Sequence, residues 1–198
     1  MSAKRKVGVL ISGRGSNLKS LIEACADANY PAEIVLVVSN VVGARGLAHA
    51  QNAGIPTKVI SHKTFASRET FDAAIDAALR EAGVEIVCEA GFMRIHSEGF
   101  VRKWQGRIIN IHPSLLPSFK GTRVHEQVIA AGMKISGCTV HFVAAEVDSG
   151  PIIAQSVVPV LTGDTPETLA ARVLEEEHKL YPLALRLVVE GRVRLGND

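Results

Sequence analysis

Apolar positions along the chain follow two rhythms. Short runs come first: Val7 to Ile11, Glu33 to Ser39, Thr57 to Ile60, Val84 to Cys88 and Ile108 to His112. Val7 to Ile11 and Glu33 to Ser39 read as buried strands, the first continuous and apolar on both faces, and the others as further short strands. Between them the spacing changes to the helical period. Leu18, Leu21, Ile22 and Cys25 form one stripe, and Phe71, Ala74, Ile75, Ala78, Leu79 and Ala82 form another behind a capping Ser67. Shorter helices are expected over 44–52 and around 125–130, stopped by Gly54 and Gly132. Ile135 to Val143 and Pro151 to Pro159 are two further strands joined by a turn-rich loop, which predicts a hairpin and antiparallel strands late in the sheet. Thr165-Pro166-Glu167 opens the last helix as cap, first-position proline and first-turn acid. Pro182 falls inside that helix and should bend it by freeing the carbonyl of His178. Strands alternating with helices predict an α/β protein, a doubly wound, mostly parallel sheet with helices on both faces.

Composition narrows this little. The 198 residues suit one domain over 1–198, with 47% hydrophobic and 21% charged residues. A net charge of +2 makes no electrostatic case for nucleic acid, and no apolar run is long enough to span a membrane. Cys25, Cys88 and Cys138 are isolated, as expected of core thiols in a cytoplasmic protein rather than of a disulfide frame or zinc site. The histidines lack ligand spacing with other donors, so no metal is expected. Val41-Val42 offers either a contact in a homodimer or internal packing.

Candidate chemistry gathers where strands end. In a parallel sheet those ends converge on one crevice. Asn110 and His112 flank Ile111, so both point to one face, and Pro113 and Pro117 stop the strand. Asp148 lies in the loop after the next strand, and beside His112 it would favour the imidazolium. An amide and a charged imidazole can stabilise a developing oxyanion and carry a proton. No serine or cysteine is placed as a nucleophile, and Ser114 reads as a turn cap, so the pattern suits acyl transfer to a substrate nucleophile. Ser12 to Asn17 joins the first strand to the first helix. It offers either a phosphate cradle or a tight turn capped by Ser16 or Asn17, and it lacks both Gly-x-Gly-x-x-Gly and the Walker lysine. Phe92 and Met93 either line a pocket or plug the core. Glu177 sits on the apolar stripe of the last helix and needs a partner, either a ligand group or a buried arginine. His141 reads as a satisfied sheet histidine, and His49 and His62 as surface residues.

Ile11-Ser-Gly-x-Gly-Ser-Asn17, Ala90-Gly-Phe-Met-Arg-Ile95, Asn110-Ile-His-Pro-Ser-Leu-Leu-Pro117 and Val140-His-Phe-Val with Asp148-x-Gly150 together resemble the phosphoribosylglycinamide formyltransferases. The likeness runs over essentially the whole chain, and the Asn-x-His-Pro motif marks the wider group of 10-formyltetrahydrofolate-using enzymes. The resemblance implies formyl transfer from 10-formyltetrahydrofolate to the amine of glycinamide ribonucleotide. It implies a catalytic trio of Asn110, His112 and Asp148, with Gly15, Ser16, Asn17 and Glu177 binding the ribonucleotide. It further implies that Arg68, the segment Met93, Arg94, Ile95 and His96, and the loop Ala144, Ala145, Glu146, Val147 and Asp148 bind the folate together with Asn110. A Rossmann-like N-terminal half would hold the nucleotide and the later strands the folate.

Three positions depart from the family pattern. His96 stands for an expected leucine, Glu89 for an apolar residue, and Thr122-Arg123 for an apolar residue and a histidine. The alternatives are a 10-formyltetrahydrofolate hydrolase, expected to carry an extra N-terminal domain, and a methionyl-tRNA formyltransferase, expected to carry a basic C-terminal one. A Rossmann-type nucleotide-binding module without catalysis would show an intact dinucleotide fingerprint.

Overall fold

The structure, a computed structural model, describes residues 3–195. Seven strands form one sheet: β1 (Arg5–Ile11), β2 (Ala32–Ser39), β3 (Thr57–Val59), β4 (Ile86–Glu89), β5 (Ile108–His112), β6 (Ile135–Phe142) and β7 (Ile152–Pro159). They lie in the order β3-β2-β1-β4-β5-β6-β7. The first five run parallel, while β6 pairs antiparallel with β5, and β7 antiparallel with β6. Chain order reverses between β1 and β4, so the carboxyl ends of these two strands flank the switch-point crevice where α/β proteins bind ligands.

Consecutive strand residues feed opposite layers. Val9, Cys88, Ile109 and Val140 pack beneath α1 (Ser16–Cys25), α2 (Gly46–Asn52), α5 (Val124–Ala130) and α6 (Pro166–Val189). Leu10, Val38, Val87 and Ile108 pack beneath α3 (Arg68–Glu81) and α4 (Glu98–Lys103). Both faces are covered, which is why the strands read as continuous apolar runs. Each fully buried aliphatic side chain contributes about 1.5–3 kcal/mol.

Ser67 caps α3 and Thr165 caps α6, each in a reciprocal box with the threonine three residues on. With Pro166 at its start, α6 continues through Pro182 as one helix of 24 residues. Tyr181, fully buried on it, donates its hydroxyl to the carbonyls of Glu89 (2.9 Å) and Ile109 (3.1 Å), tying α6 to β4 and β5 just below the crevice. The sequence pattern leaves 97–107 unassigned, and there the structure has α4. At 6 residues it is too short to show a period; Ser97 caps it, and the buried Trp104 closes it. Among the described residues no helix is long and apolar enough to cross a membrane. Val42 is 76% exposed, so it does not serve internal packing.

Candidate functional site

Asn110 and His112 share a face with Ile108, toward the α3 and α4 layer. Antiparallel register sets His141 opposite Asn110 and Thr139 opposite His112. The His141 Nδ1 donates to the Phe142 carbonyl at 2.8 Å, which leaves Nε2 as an acceptor for the Asn110 amide at 3.3 Å. Burial holds this imidazole below the usual histidine range, in keeping with a neutral ring. Asn110 is thereby fixed with one amide hydrogen on His141 and the other free for the crevice. His141 is satisfied, as expected of a sheet histidine, yet it also orients a site residue.

Asp148 reaches this pair from the loop after β6. Its Oδ2 is 3.4 Å from His112 Nδ1, and its Oδ1 is 3.8 Å from His141 Nε2. The other nitrogen of His112, Nε2, donates to the Phe119 carbonyl at 2.9 Å. Both nitrogens of His112 thus face oxygens. Asp148 itself has left-handed backbone (φ 50°) and accepts the Gly121 N–H at 2.9 Å. Two residues on, the chain presses so close to β6 that a Cβ on Gly150 would stand 1.7 Å from the Phe142 carbonyl oxygen. Only glycine allows the loop to return at this point and deliver Asp148. Ser114 is fully buried and donates to the carbonyls of Ser118 and Phe119, so its hydroxyl is committed to the turn.

The β1–α1 loop meets the same sheet edge. Gly15, not Ser16 or Asn17, occupies the cap position of α1, with φ 73° and no side-chain cap bond. A Cβ there would lie 2.5 Å from the Cα of Gly46 at the start of α2. The first N–H groups of α1 are thus left for an anion rather than for a side chain. Asn17 is buried on the first turn; its amide donates to Glu177 Oε2 at 2.7 Å, while its Oδ1 has no partner. Burial pushes the Glu177 carboxyl above its usual range, against the lowering effect of the Asn17 bond. Its protein partner is this amide and not a buried arginine. An orphaned amide oxygen beside a buried carboxyl fits a ligand rich in hydroxyl and amine groups.

A second lip runs from Gly91 to Ser97. Phe92 plugs the core, whereas Met93 (70% exposed), Arg94 and Ile95 (53%) stand outward. Ser12 joins the two lips, as its N–H donates to the Gly91 carbonyl and its hydroxyl accepts the Met93 N–H at 2.7 Å. That hydroxyl in turn donates to Asn40 at 2.6 Å. Sequence reasoning gave Ser12 and Asn40 no such role, because a hydroxyl at a strand end has no period to mark it. His62 is half-buried against the same Asn40. Arg68 lies exposed at the start of α3. Ala145, Glu146 and Val147 are exposed and Ala144 half-buried in the Asp148 loop, where Lys120 pairs with Glu146 at 3.2 Å. The His96 ring points inward, with Asp72 and Glu89 at its two nitrogens. Arg123 caps α5 with left-handed backbone, and the Thr122 carbonyl accepts from Gln127.

A family model described as formyl transferase matches residues 5–185. The chain is 58% identical to the trifunctional purine biosynthetic protein adenosine-3 of Gallus gallus, covering 98% of this chain and 19% of that protein. It thus spans about a fifth of the length of the curated trifunctional relatives it matches. It is 42% identical to the phosphoribosylglycinamide formyltransferase of Haemophilus influenzae, over 98% of this chain and 92% of that protein. Among solved structures, glycinamide ribonucleotide transformylase 1 from Symbiobacterium toebii superposes with a TM-score of 0.96 at 44% identity, covering 100% and 93% of the two chains. Phosphoribosylglycinamide formyltransferase from Brucella melitensis superposes at 0.91 with 53% identity, covering 96% and 98%.

Proposed function

We propose, on the premise that this chain belongs to the formyl transferase family, that it transfers a formyl group from 10-formyltetrahydrofolate to the amine of N1-(5-phospho-D-ribosyl)glycinamide in purine synthesis. The observation that carries this reading is the cluster of Asn110, His112 and Asp148 with no uncommitted nucleophile beside it among the described residues, the Ser114 hydroxyl being held by the turn. An oxyanion site without a nucleophile serves a reaction in which one substrate attacks the other.

The amine nitrogen bonds to the formyl carbon, and the bond from that carbon to the folate nitrogen then breaks. Asn110 donates its free amide hydrogen to the former formyl oxygen as charge gathers there. His112, as imidazolium, stabilises the same oxygen. Asp148 stabilises the ring charge and passes the proton lost by the amine toward the departing folate nitrogen. His141 holds the Asn110 amide in its donating orientation. Gly15, Ser16 and Asn17 bind the phosphate with backbone N–H groups, and Asn17 with Glu177 orients the remainder of the ribonucleotide. Arg68, Met93, Arg94, Ile95 and the Ala144 to Asp148 loop frame the folate: exposed Met93, Ile95 and Val147 offer apolar contact to the ring system, and Arg68 offers charge to carboxylates. In this reading the chain is one catalytic domain, its N-terminal half holding the nucleotide and its later strands the folate.

The test is spectroscopic. The protein is mixed with 10-formyltetrahydrofolate, with and without glycinamide ribonucleotide, and the folate absorbance is followed. Ribonucleotide-dependent release of tetrahydrofolate is expected. Release without the ribonucleotide would establish a hydrolase instead, and no release in either mixture would leave a binding module.

A further inference from the structure

Glu89 ends β4 and His96 lies in the lip before α4, and in space they are partners. The His96 ring lies stacked between Phe92 and Phe100, with centroids 5.2 and 4.1 Å away. Its Nδ1 stands 2.8 Å from Asp72 Oδ1, and its Nε2 stands 2.8 Å from Glu89 Oε1. The second contact is an ion pair by distance whose alignment falls short of a hydrogen bond. The side chains of His96, Asp72 and Glu89 are 2%, 3% and 9% exposed. Burial alone would leave the ring neutral, but the two carboxylates outweigh it and push His96 up to about 9. Burial likewise opposes the Asp72 charge, yet the bonds from His96 and from the Ser97 N–H (2.6 Å) hold that carboxyl below its usual range.

This cluster lies between the two parts of the proposed site. Asp72 belongs to α3, and His96 ends the lip that shows Met93 and Ile95 to solvent. Ser12 anchors that lip at its other end. Glu89 lies on β4, in register beside Asn110 of β5, and its charge also acts on His141. One buried unit therefore reaches the folate lip on one side and the oxyanion amide on the other.

We propose that Asp72, His96 and Glu89 form a buried charge clamp that positions the Met93–Ile95 lip and the Asn110 amide for the folate substrate, and that Glu89 and His96 work only as a pair. This rests on the proposed function for the identity of the ligand. The pairing follows from charge burial: without His96 the Glu89 and Asp72 carboxylates are buried without a cation, without Glu89 the His96 Nε2 is buried with no acceptor, and removing both leaves an apolar pair. Asp72 keeps the Ser97 N–H in either case. The charged groups acting on His96 are Asp72 from α3 and Glu89 from β4, while α4 and the lip contribute aromatic rings. Asp76, one turn along α3, is committed to Arg80, Lys103 and Trp104.

The experiment compares the full chain with Glu89→Leu, His96→Leu and the double variant, reading thermal midpoint and the KM for each substrate at pH 7. Each single variant is expected to raise the folate KM about tenfold, with the ribonucleotide KM within about twofold. The double variant is expected to recover most of the folate KM and of the midpoint. Additive losses in the double variant, or an unchanged folate KM in the single ones, would overturn the clamp. Should a single variant fail to fold, the wild-type chain still decides. Its folate KM should rise as pH passes about 9, and ring NMR should show a histidine charged at pH 8. A His96 ring that titrates near its ordinary value would refute the proposal. Loss of ribonucleotide-dependent transfer in the wild type would sink the functional reading alone, since the midpoint coupling and the NMR titration report on the clamp without it.

Discussion

Replacing Asp148 by asparagine would remove one negative charge and change the shape of the side chain little. The amide oxygen still accepts the Gly121 N–H that now reaches Oδ2 at 2.9 Å, so the left-handed residue keeps its anchor. What goes is the charge 3.4 Å from His112 Nδ1. At an effective dielectric of about 20, a unit charge pair at that distance interacts by about 5 kcal/mol. With the amide oxygen at the Oδ2 position, which faces both Gly121 and His112 Nδ1, the new NH2 takes the Oδ1 position beside His141 Nε2 (3.8 Å), so His112 keeps an acceptor at Nδ1 but loses the counter-charge of an imidazolium. Solvent reaching the crevice during turnover reduces the effect, so roughly 3–4 kcal/mol of transition-state stabilisation should be lost, about 100- to 1000-fold in kcat. The assay is the rate of tetrahydrofolate release at saturation with both substrates, alongside a thermal melt. Turnover within about tenfold of wild type, with the fold intact, would show that the carboxylate does not support the imidazolium.

Three further outcomes follow from the geometry. Ser16→Ala with Asn17→Ala should raise the KM for the ribonucleotide more than that for the folate, because the pair stands at the α1 terminus and on Glu177; equal effects would remove the phosphate-loop assignment. Gly150→Ala sets a Cβ 1.7 Å from the Phe142 carbonyl oxygen, so it should lower both the melting midpoint and turnover, costing more than about 2 kcal/mol; an unchanged midpoint would contradict the close approach. His96 has a folded-state pKa raised above its unfolded value, so its contribution to stability is complete below pH 6.5 and is lost as pH rises through about 9. Against the Glu89→Leu/His96→Leu variant as reference, wild type should lose on the order of 3 kcal/mol over that window in urea titrations, and parallel pH curves for the two proteins would refute the charge.

Much of the fold is legible in the chain because the relevant physics is local. Val7 to Ile11 reads as a doubly buried strand since both its faces are apolar, and Ile108 to His112 as a strand by its apolar start, and that is where the structure has β1 and β5. Thr165-Pro166-Glu167 announces α6 through backbone chemistry confined to one turn. Asn110 and His112 share a face by strand alternation alone. The same locality explains the gaps. Six residues of α4 carry too little period to be seen, and Gly15 takes the cap position expected of Ser16 or Asn17 because the close approach of Gly46 leaves no room for a Cβ.

What the sequence by itself determined is thus the inventory: an α/β chain, a glycine-rich turn, an amide and an imidazole at a strand end, an acid in a later loop. The tertiary structure decided which of these meet. Antiparallel register brings His141 to Asn110, the tight return at Gly150 brings Asp148 to His112, and the lip from Gly91 to Ser97, folded back beside β4 against α3, joins two separate oddities, Glu89 and His96, to Asp72 in one charged cluster. The reason is physical. Burial preference and backbone conformation depend on neighbours in the chain and leave a periodic signature, whereas contacts between charged groups depend on strand order and register, which no stretch of local sequence encodes.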